Sequence, residues 1–402
     1  MRLTILEPLK HRDFRLLWMG QSVSQLGNSL YFIALPFQIL KLGGTPLQLG
    51  LGFTASSAAQ VVAVLFGGAL VDRLPRRRVI LALDLISTVV VALVAALAII
   101  GRLQIAHIYV AAAFFGATVA FYNPAMNAIM PELVPKDVLV SGNALRSLSR
   151  QAARVIGPSI GGILVATAGP PSAFAIDAAT FAFSFGVFLL SRPPLRQSTP
   201  RKALLREIGN GFKYTFSVTW IWVTIVGFAL SNGFYFAGAT VAQPLLVLRV
   251  LGGSAATFGL IGAVAASGQV VGGLIVGNLH IRRLGVGIYL WSALLGLSFV
   301  AYGLVPALPV VLAAAFAFGV TLIIANTIWE TAMQKHVPGE LLGRVSSVDD
   351  FGSYLIGPIA PIVAAAAIER VGPSPIYLIG GAVSFVFWIA ALATVRSVRQ
   401  LE

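Results

Sequence analysis

The sequence predicts an all-α membrane protein, with twelve transmembrane helices in two pseudo-symmetric six-helix bundles. Three observations predict it. Of 402 residues, 57% are hydrophobic and only 10% are Asp, Glu, Lys or Arg, where an ordinary soluble domain is about a quarter charged. The mean hydropathy is +0.89. Apolar runs long enough to cross a bilayer recur along the chain, and the second half repeats the first. A soluble protein of this size cannot cover its surface with so few charges. A soluble enzyme, a nucleic-acid binder and a disordered chain are excluded together.

A membrane helix needs about 20 apolar residues. Twelve segments meet that need, roughly 14–40, 46–71, 79–100, 106–130, 141–168, 172–191, 218–249, 255–279, 286–305, 308–332, 342–368 and 374–395. Barrel strands would alternate polar and apolar residues, and these runs are continuous. Residues 1–13 are basic and polar, and the first span is too long and too polar for the apolar core of a signal peptide, so no cleaved signal is expected.

The net charge of +14 follows topology rather than a nucleic-acid partner. With the N-terminus inside, 24 of the 28 Lys and Arg residues fall on the inner side. Only Lys41, Arg102, Arg249 and Arg370 fall outside. That bias predicts both termini in the cytoplasm. There is no cysteine, and His11, His107, His280 and His336 are scattered, so no metal site and no cofactor is expected.

The longest connection, 192–217, is rich in Pro and basic residues and carries an amphipathic stretch from Lys202 to Tyr214. It divides an N-terminal six-helix bundle, 1–191, from a C-terminal one, 218–402. Asn28-x-x-Tyr31-Phe32 recurs as Asn232-x-x-Tyr235-Phe236, and Gly50, Gln60 and Gly68 recur as Gly259, Gln269 and Gly277. Asn123 recurs as Asn326, and Gly157-Pro158 as Gly357-Pro358. Matches in one order at a near-constant offset mark an internal duplication. Two similar six-span bundles form a transporter architecture with the solute site near the midplane.

A charge near the bilayer centre costs about 2.5–3.5 kcal/mol on insertion scales, so such residues usually face a partner or a water-filled cavity. Arg146, Arg150 and Arg154 lie four apart on one face of span 5. Glu330 lies in span 10, and Asp349 and Asp350 in span 11. Asp350 opposite Arg150 or Arg154 is a candidate inner gate, and the acids are candidate proton carriers. Asp84 is expected to pair with basic residues of the 73–78 loop, and Asp177 to cap the outer end of span 6. Gln21, Gln25, Asn28, Tyr31 and Phe32, with Asn123, form a polar and aromatic set in the first half. Asn232, Tyr235, Phe236 and Asn326 form its counterpart. Together they are candidate lining for an amphipathic solute, since pockets combine apolar walls with a few polar groups. The competing reading is helix-to-helix hydrogen bonding.

The run Arg12-Asp13-Phe14-Arg15-Leu16-Leu17-Trp18, followed by Gly20-Gln21, Ser24 and Gly27, resembles the opening of a branch of the major facilitator superfamily. That branch holds the twelve-span macrolide-efflux and siderophore exporters. Gly68-x-x-x-Asp72-Arg73-x-Pro75-Arg76-Arg77-Arg78 looks like the superfamily's motif A, with Pro75 where a glycine is usual. Gly157-Pro158-x-x-Gly161-Gly162 looks like the core of the antiporter motif. Span 4 lacks the arginine that related exporters often carry, and Asn28 stands where an acid is often found.

The resemblance implies a multi-pass protein of a bacterial cytoplasmic membrane, a monomer, exporting drugs or metabolites in exchange for protons. It implies a gate built from Gly68, Asp72, Arg73 and Arg76, with Asp72 at the helix of span 11. A carboxylate there would meet the unpaired N–H groups of a helix start. A matched bend at Gly157-Pro158 and Gly357-Pro358 is also expected, because proline removes a helix hydrogen bond.

The partners expected are a small-molecule substrate, protons and the lipid bilayer. Without a Gly-x-x-x-x-Gly-Lys-Ser/Thr run, ATP is not the direct energy source. A proton symporter or facilitator for a small polar solute is the second reading. No catalytic motif supports an enzyme.

Overall fold

The computed structural model describes the backbone over residues 4–71, 74–192, 204–279, 281–305 and 307–401. Every regular element among them is helical. A short 3₁₀ turn, Thr4–Lys10, leads into α1 (Arg12–Lys41), α2 (Pro46–Val71), α3 (Arg76–Ile99), α4 (Ile105–Leu133), α5 (Leu139–Ala168) and α6 (Pro170–Leu189). The linker contributes α7 (Leu204–Ser217). Then follow α8 (Thr219–Ala237) and α9 (Gln243–Leu245), the latter set between π-helical turns Gly238–Ala242 and Leu246–Val250. The remainder is α10 (Ala255–Asn278), α11 (Leu284–Leu304), α12 (Leu308–His336), α13 (Gly339–Tyr354), α14 (Ala360–Val371), α15 (Ser374–Thr394) and α16 (Arg396–Arg399).

Among the described residues, nine helices are long and apolar enough to cross a membrane. The three expected spans outside that set are α1, α5 and the α13–α14 pair, and each carries polar residues. Four of those on α1 are Gln21, Ser24, Gln25 and Asn28; α5 has three arginines; α13 has Asp349 and Asp350. The same residues that lower their hydropathy are the candidates for function.

The chain divides into two compact units. One comprises residues 1–200 with 253–263, and the other residues 201–252 with 264–402. In the first, α1 packs on α5 and α6, α3 on α6, and α2 on α4. In the second, α8 packs on α13 and α15, and α11 on α15. There, α10 meets α12 where Gly272 and Gly319 admit the facing backbone. The packing plan of one unit is thus repeated in the other, as the sequence repeats require.

Glycine makes these contacts possible. A Cβ on Gly116 of α4 would collide with the Ser56 carbonyl of α2, and one on Gly319 with the Ala265 carbonyl. In lipid, association depends on close packing and interhelical hydrogen bonds rather than on the hydrophobic effect. Gly169, at φ +77°, is the single residue joining α5 to α6. Only glycine adopts that conformation at little cost.

The two Gly-Pro sites differ. The α5 helix runs unbroken through Pro158 from Leu139 to Ala168, whereas residues 355–359 are a turn between α13 and α14. A matched pair of breaks is therefore not what forms. Position 361 supplies the reason. It is Pro361 in the second half, so two donors are missing within one turn. Its counterpart in the first half is Gly161.

The α2–α4 contact is testable. Gly116→Ala should destabilise the protein by about 1–3 kcal/mol through overpacking. Gly186→Ala, where nothing lies within 4 Å of the new Cβ, should leave stability nearly unchanged. Thermal unfolding of both variants in detergent measures the difference.

Candidate functional site

The first unit contains a cavity of about 360 Å³. Five helices line it. From α1 come Gln21, Ser24, Gln25, Asn28 and Ser29; from α3, Leu83, Asp84 and Ser87. The α4 helix supplies Phe115, Thr118, Val119, Tyr122, Asn123 and Met126. Arg146, Arg150, Ala153 and Arg154 come from α5, and Phe181 from α6. The helical period carries Gln21, Ser24/Gln25 and Asn28 onto one face of α1, and brings Arg146, Arg150 and Arg154 onto one face of α5.

Asp84 is almost wholly buried, at 1% exposure. Its Oδ2 accepts a 2.7 Å bond from the Ser184 hydroxyl on α6, and Gln21 Nε2 donates to that hydroxyl at 3.4 Å. Three helices are thereby joined at one edge of the cavity. Gly20 allows it: a Cβ there would sit 3.0 Å from Ser184 Cα. Among the described residues, Asp84 does not pair with Arg76, Arg77 or Arg78 as expected, because it faces the bundle interior.

That loop uses a different acid. Arg76 Nη1 meets Glu132 Oε1 of α4 at 2.7 Å, with side chains only 16% and 8% exposed. Arg77 donates to the Leu189 carbonyl at 2.8 Å. Asp72 and Arg73, and the surroundings of Gly68, lie outside the described residues.

Several candidates lie elsewhere. Tyr31 is buried, stacked on Phe115 at 4.3 Å and against Phe174 at 5.5 Å. Phe32 is exposed and edge-on to Phe53. Neither lines the cavity. Asp177 is not a cap: α6 starts at Pro170, so Asp177 lies about two turns inside, fully buried. Thr180 Oγ1 donates to its Oδ1 at 3.4 Å, and Gly27 of α1 faces it closely.

Gly157 abuts Ser29 of α1, and Gly161 abuts Leu30 and Ile33. Gly162 faces residues 255–259, and a Cβ on it would stand 2.5 Å from the Ala255 carbonyl.

In the second unit, Tyr235 and Asn232, counterparts of Tyr31 and Asn28, bond neighbouring helices. Tyr235 is buried, its hydroxyl 2.9 Å from Ser384 Oγ, which is 2.8 Å from Ser231 Oγ. Trp388 Nε1 donates to Ser231 Oγ at 3.0 Å. Asn232 donates to the Ser353 carbonyl of α13 at 3.3 Å. Phe236 is half-buried, and Asn326 and Glu330 are exposed on α12. Asp349 accepts from Trp329 Nε1 at 2.7 Å and from Ser353 Oγ at 2.9 Å, while Asp350 is exposed on α13.

Of the candidate lining residues, the structure gathers Gln21, Gln25, Asn28 and Asn123 at the cavity, together with Arg150 and Arg154. It adds Arg146, Asp84, Tyr122, Phe115 and Phe181. Arg146 and Asp84 had a sequence signal, as charges inside spans; Tyr122, Phe115 and Phe181 had none.

The Arg76–Glu132 pair gives a sharp expectation. Removing one partner of a buried pair typically costs about 3–5 kcal/mol. Arg76→Gln should therefore lower the unfolding temperature markedly, and Arg76→Gln with Glu132→Gln should recover part of the loss.

Residues 17–361 match the family profile of the Major Facilitator Superfamily. The enterobactin exporter EntS of Citrobacter koseri is 27% identical over 385 residues, 92% of this chain and 90% of the relative. That of Shigella boydii is 27% identical over 408 residues, 97% of this chain and 94% of the relative. The crystal structure of a bacterial homologue of the human lysosomal transporter Spinster, inward-facing and unoccupied, superposes with a TM-score of 0.70 at 16% identity. It covers 100% of this chain and 98% of that one. A POT family transporter in complex with a thioalcohol-conjugated peptide superposes at 0.76 and 13% identity, covering 96% of each chain. With a profile match over most of its length and the fold to go with it, the chain belongs to the Major Facilitator Superfamily and is a multi-pass membrane transporter rather than an enzyme.

Proposed function

We propose that this transporter is a secondary exporter that carries an amphipathic organic compound out of the bacterial cytoplasm by alternating access, in exchange for protons. The observation that carries the reading is the cavity in the first unit. Amides and hydroxyls on α1, α3 and α4 face aromatic side chains on α4 and α6. Such a lining suits a solute with both apolar surface and hydrogen-bonding groups. Relatives named as exporters of enterobactin favour outward flux and a siderophore-like or drug-like cargo.

In this reading Gly157, Pro158, Gly161 and Gly162 are the close-packing surface of an antiporter. Gly68, Asp72, Arg73 and Arg76 act as a cytoplasmic gate. A contact made in one state and lost in the other is what biases such an equilibrium. Asp350, with Arg150 or Arg154, is a second candidate gate. Glu330, Asp349 and Asp350 are candidate proton carriers, joined by Asp84 on its place at the cavity. The working protein is a monomer in the inner membrane with both termini in the cytoplasm.

Inside-out vesicles with an acid lumen test the coupling. Exchange predicts that cargo accumulates in the lumen as protons leave it. A symporter would accumulate cargo only with the gradient reversed. Glu330→Gln combined with Asp350→Asn should abolish gradient-driven accumulation and leave cargo-for-cargo exchange intact. Full gradient-driven flux in that variant would move the coupling to other acids.

A further inference from the structure

We propose that the cargo is an aromatic organic anion, whose carboxylate or phenolate group binds the arginine ladder of α5. This rests on the exporter reading above and names the substrate class of its cavity. Arg146, Arg150 and Arg154 stand at successive intervals of four on one helix face, spanning about 12 Å along the axis. All three line the cavity. Arg146 is half-buried, while Arg150 and Arg154 are exposed, so their guanidinium groups are accessible.

The ion pairs Lys10–Glu7, Arg12–Asp13 and Arg76–Glu132 are formed among the described residues, and no ladder arginine pairs with a described carboxylate. Among the described lining residues the one carboxylate is Asp84, held by Ser184 at 2.7 Å. The described lining therefore carries three cationic groups against one acid.

Like charges at intervals of four repel and weaken a helix. Charges in a spanning segment are costly as well. The three arginines also count among the inner-side basic residues, but orientation alone does not require them to be aligned along one cavity wall. An anionic ligand relieves both costs when it binds. Guanidinium offers a planar fork of donors that matches a carboxylate, and it also stacks on aromatic rings. Phe115, Tyr122 and Phe181 supply aromatic surface for the ring of such a ligand. Gln25, whose side-chain oxygen is buried without a partner, offers an acceptor for a ligand hydroxyl. A lipophilic cation meets three like charges, so the same arrangement rejects it.

The test compares three probes of one shape: naphthoate, naphthamide and naphthylmethylammonium. Binding is measured by calorimetry on the full chain in phosphatidylcholine nanodiscs. Naphthoate should bind at least about tenfold more tightly than the ammonium, the range expected for one charge-assisted hydrogen bond. Arg150→Gln with Arg154→Gln should erase that preference while naphthamide affinity stays within about twofold. Arg150→Lys should retain part of it. Equal binding of anion and cation, or equal weakening of all three probes, overturns the proposal. So does loss of naphthoate binding when phosphatidylglycerol replaces a third of the lipid, since the ladder would then hold lipid headgroups. Flux of the probes in vesicles is read separately. Anion-selective binding with no flux would leave the ladder as an anion site but overturn its reading as the cargo site, while the gradient experiment above tests export independently. Flux without charge preference would overturn the ladder assignment and leave the exporter reading standing.

Discussion

A polar group inside a membrane-spanning helix must find a partner on another helix or face water, and this requirement shapes the molecule more than any apolar contact. The apolar side chains do not by themselves choose between partners, because lipid is as good a neighbour as another helix. What fixes neighbours is polar pairing and close backbone approach acting together. Ser184 joins Asp84 to Gln21 because Gly20 lets α1 and α6 come close. Arg76 and Glu132 tie the start of α3 to the end of α4. In the second unit, Trp329 and Ser353 hold Asp349, and Ser231, Ser384, Tyr235 and Trp388 share one buried network.

Features confined to one helix were the legible ones. Most of the apolar helices and the arginine spacing on α5 can be read along a single segment. Contacts across helices were not legible. Asp84 bonds a serine 100 residues away, and nothing near it in the sequence announces that partner. Asp177 was misplaced for a smaller reason. Two prolines at the start of α6 are compatible with the first helical turn, so the helix begins earlier than its apolar run suggests, and the acid falls inside the bundle.

Tyr31 and Tyr235 lie away from the described cavity for a related reason. Helices apolar on every side have no sequence-visible inner face. Tyr31 and Tyr235 occupy matched positions in the repeats, and both turn into the packed interior of their own unit. Duplication preserved their structural role. Asn28 and Asn232 also match, yet Asn28 lines a cavity while Asn232 bonds the Ser353 carbonyl. A repeat therefore identifies equivalent places in the fold without assigning them equal work.

That divergence explains where the unpaired polarity resides. In the second unit the Ser231–Ser384–Tyr235–Trp388 network is closed upon itself, and a satisfied network rigidifies a core. In the first unit the corresponding helix, α1, carries Gln21, Gln25 and Asn28, which share the cavity with arginines that pair with no described carboxylate. Packing alone gives no reason to keep such an arrangement, since each uncompensated charge works against insertion. Its persistence is accounted for by a ligand that supplies the missing negative charge during part of the transport cycle. The same reasoning makes an empty cavity the costlier state electrostatically, so cargo binding itself lowers the repulsion along α5.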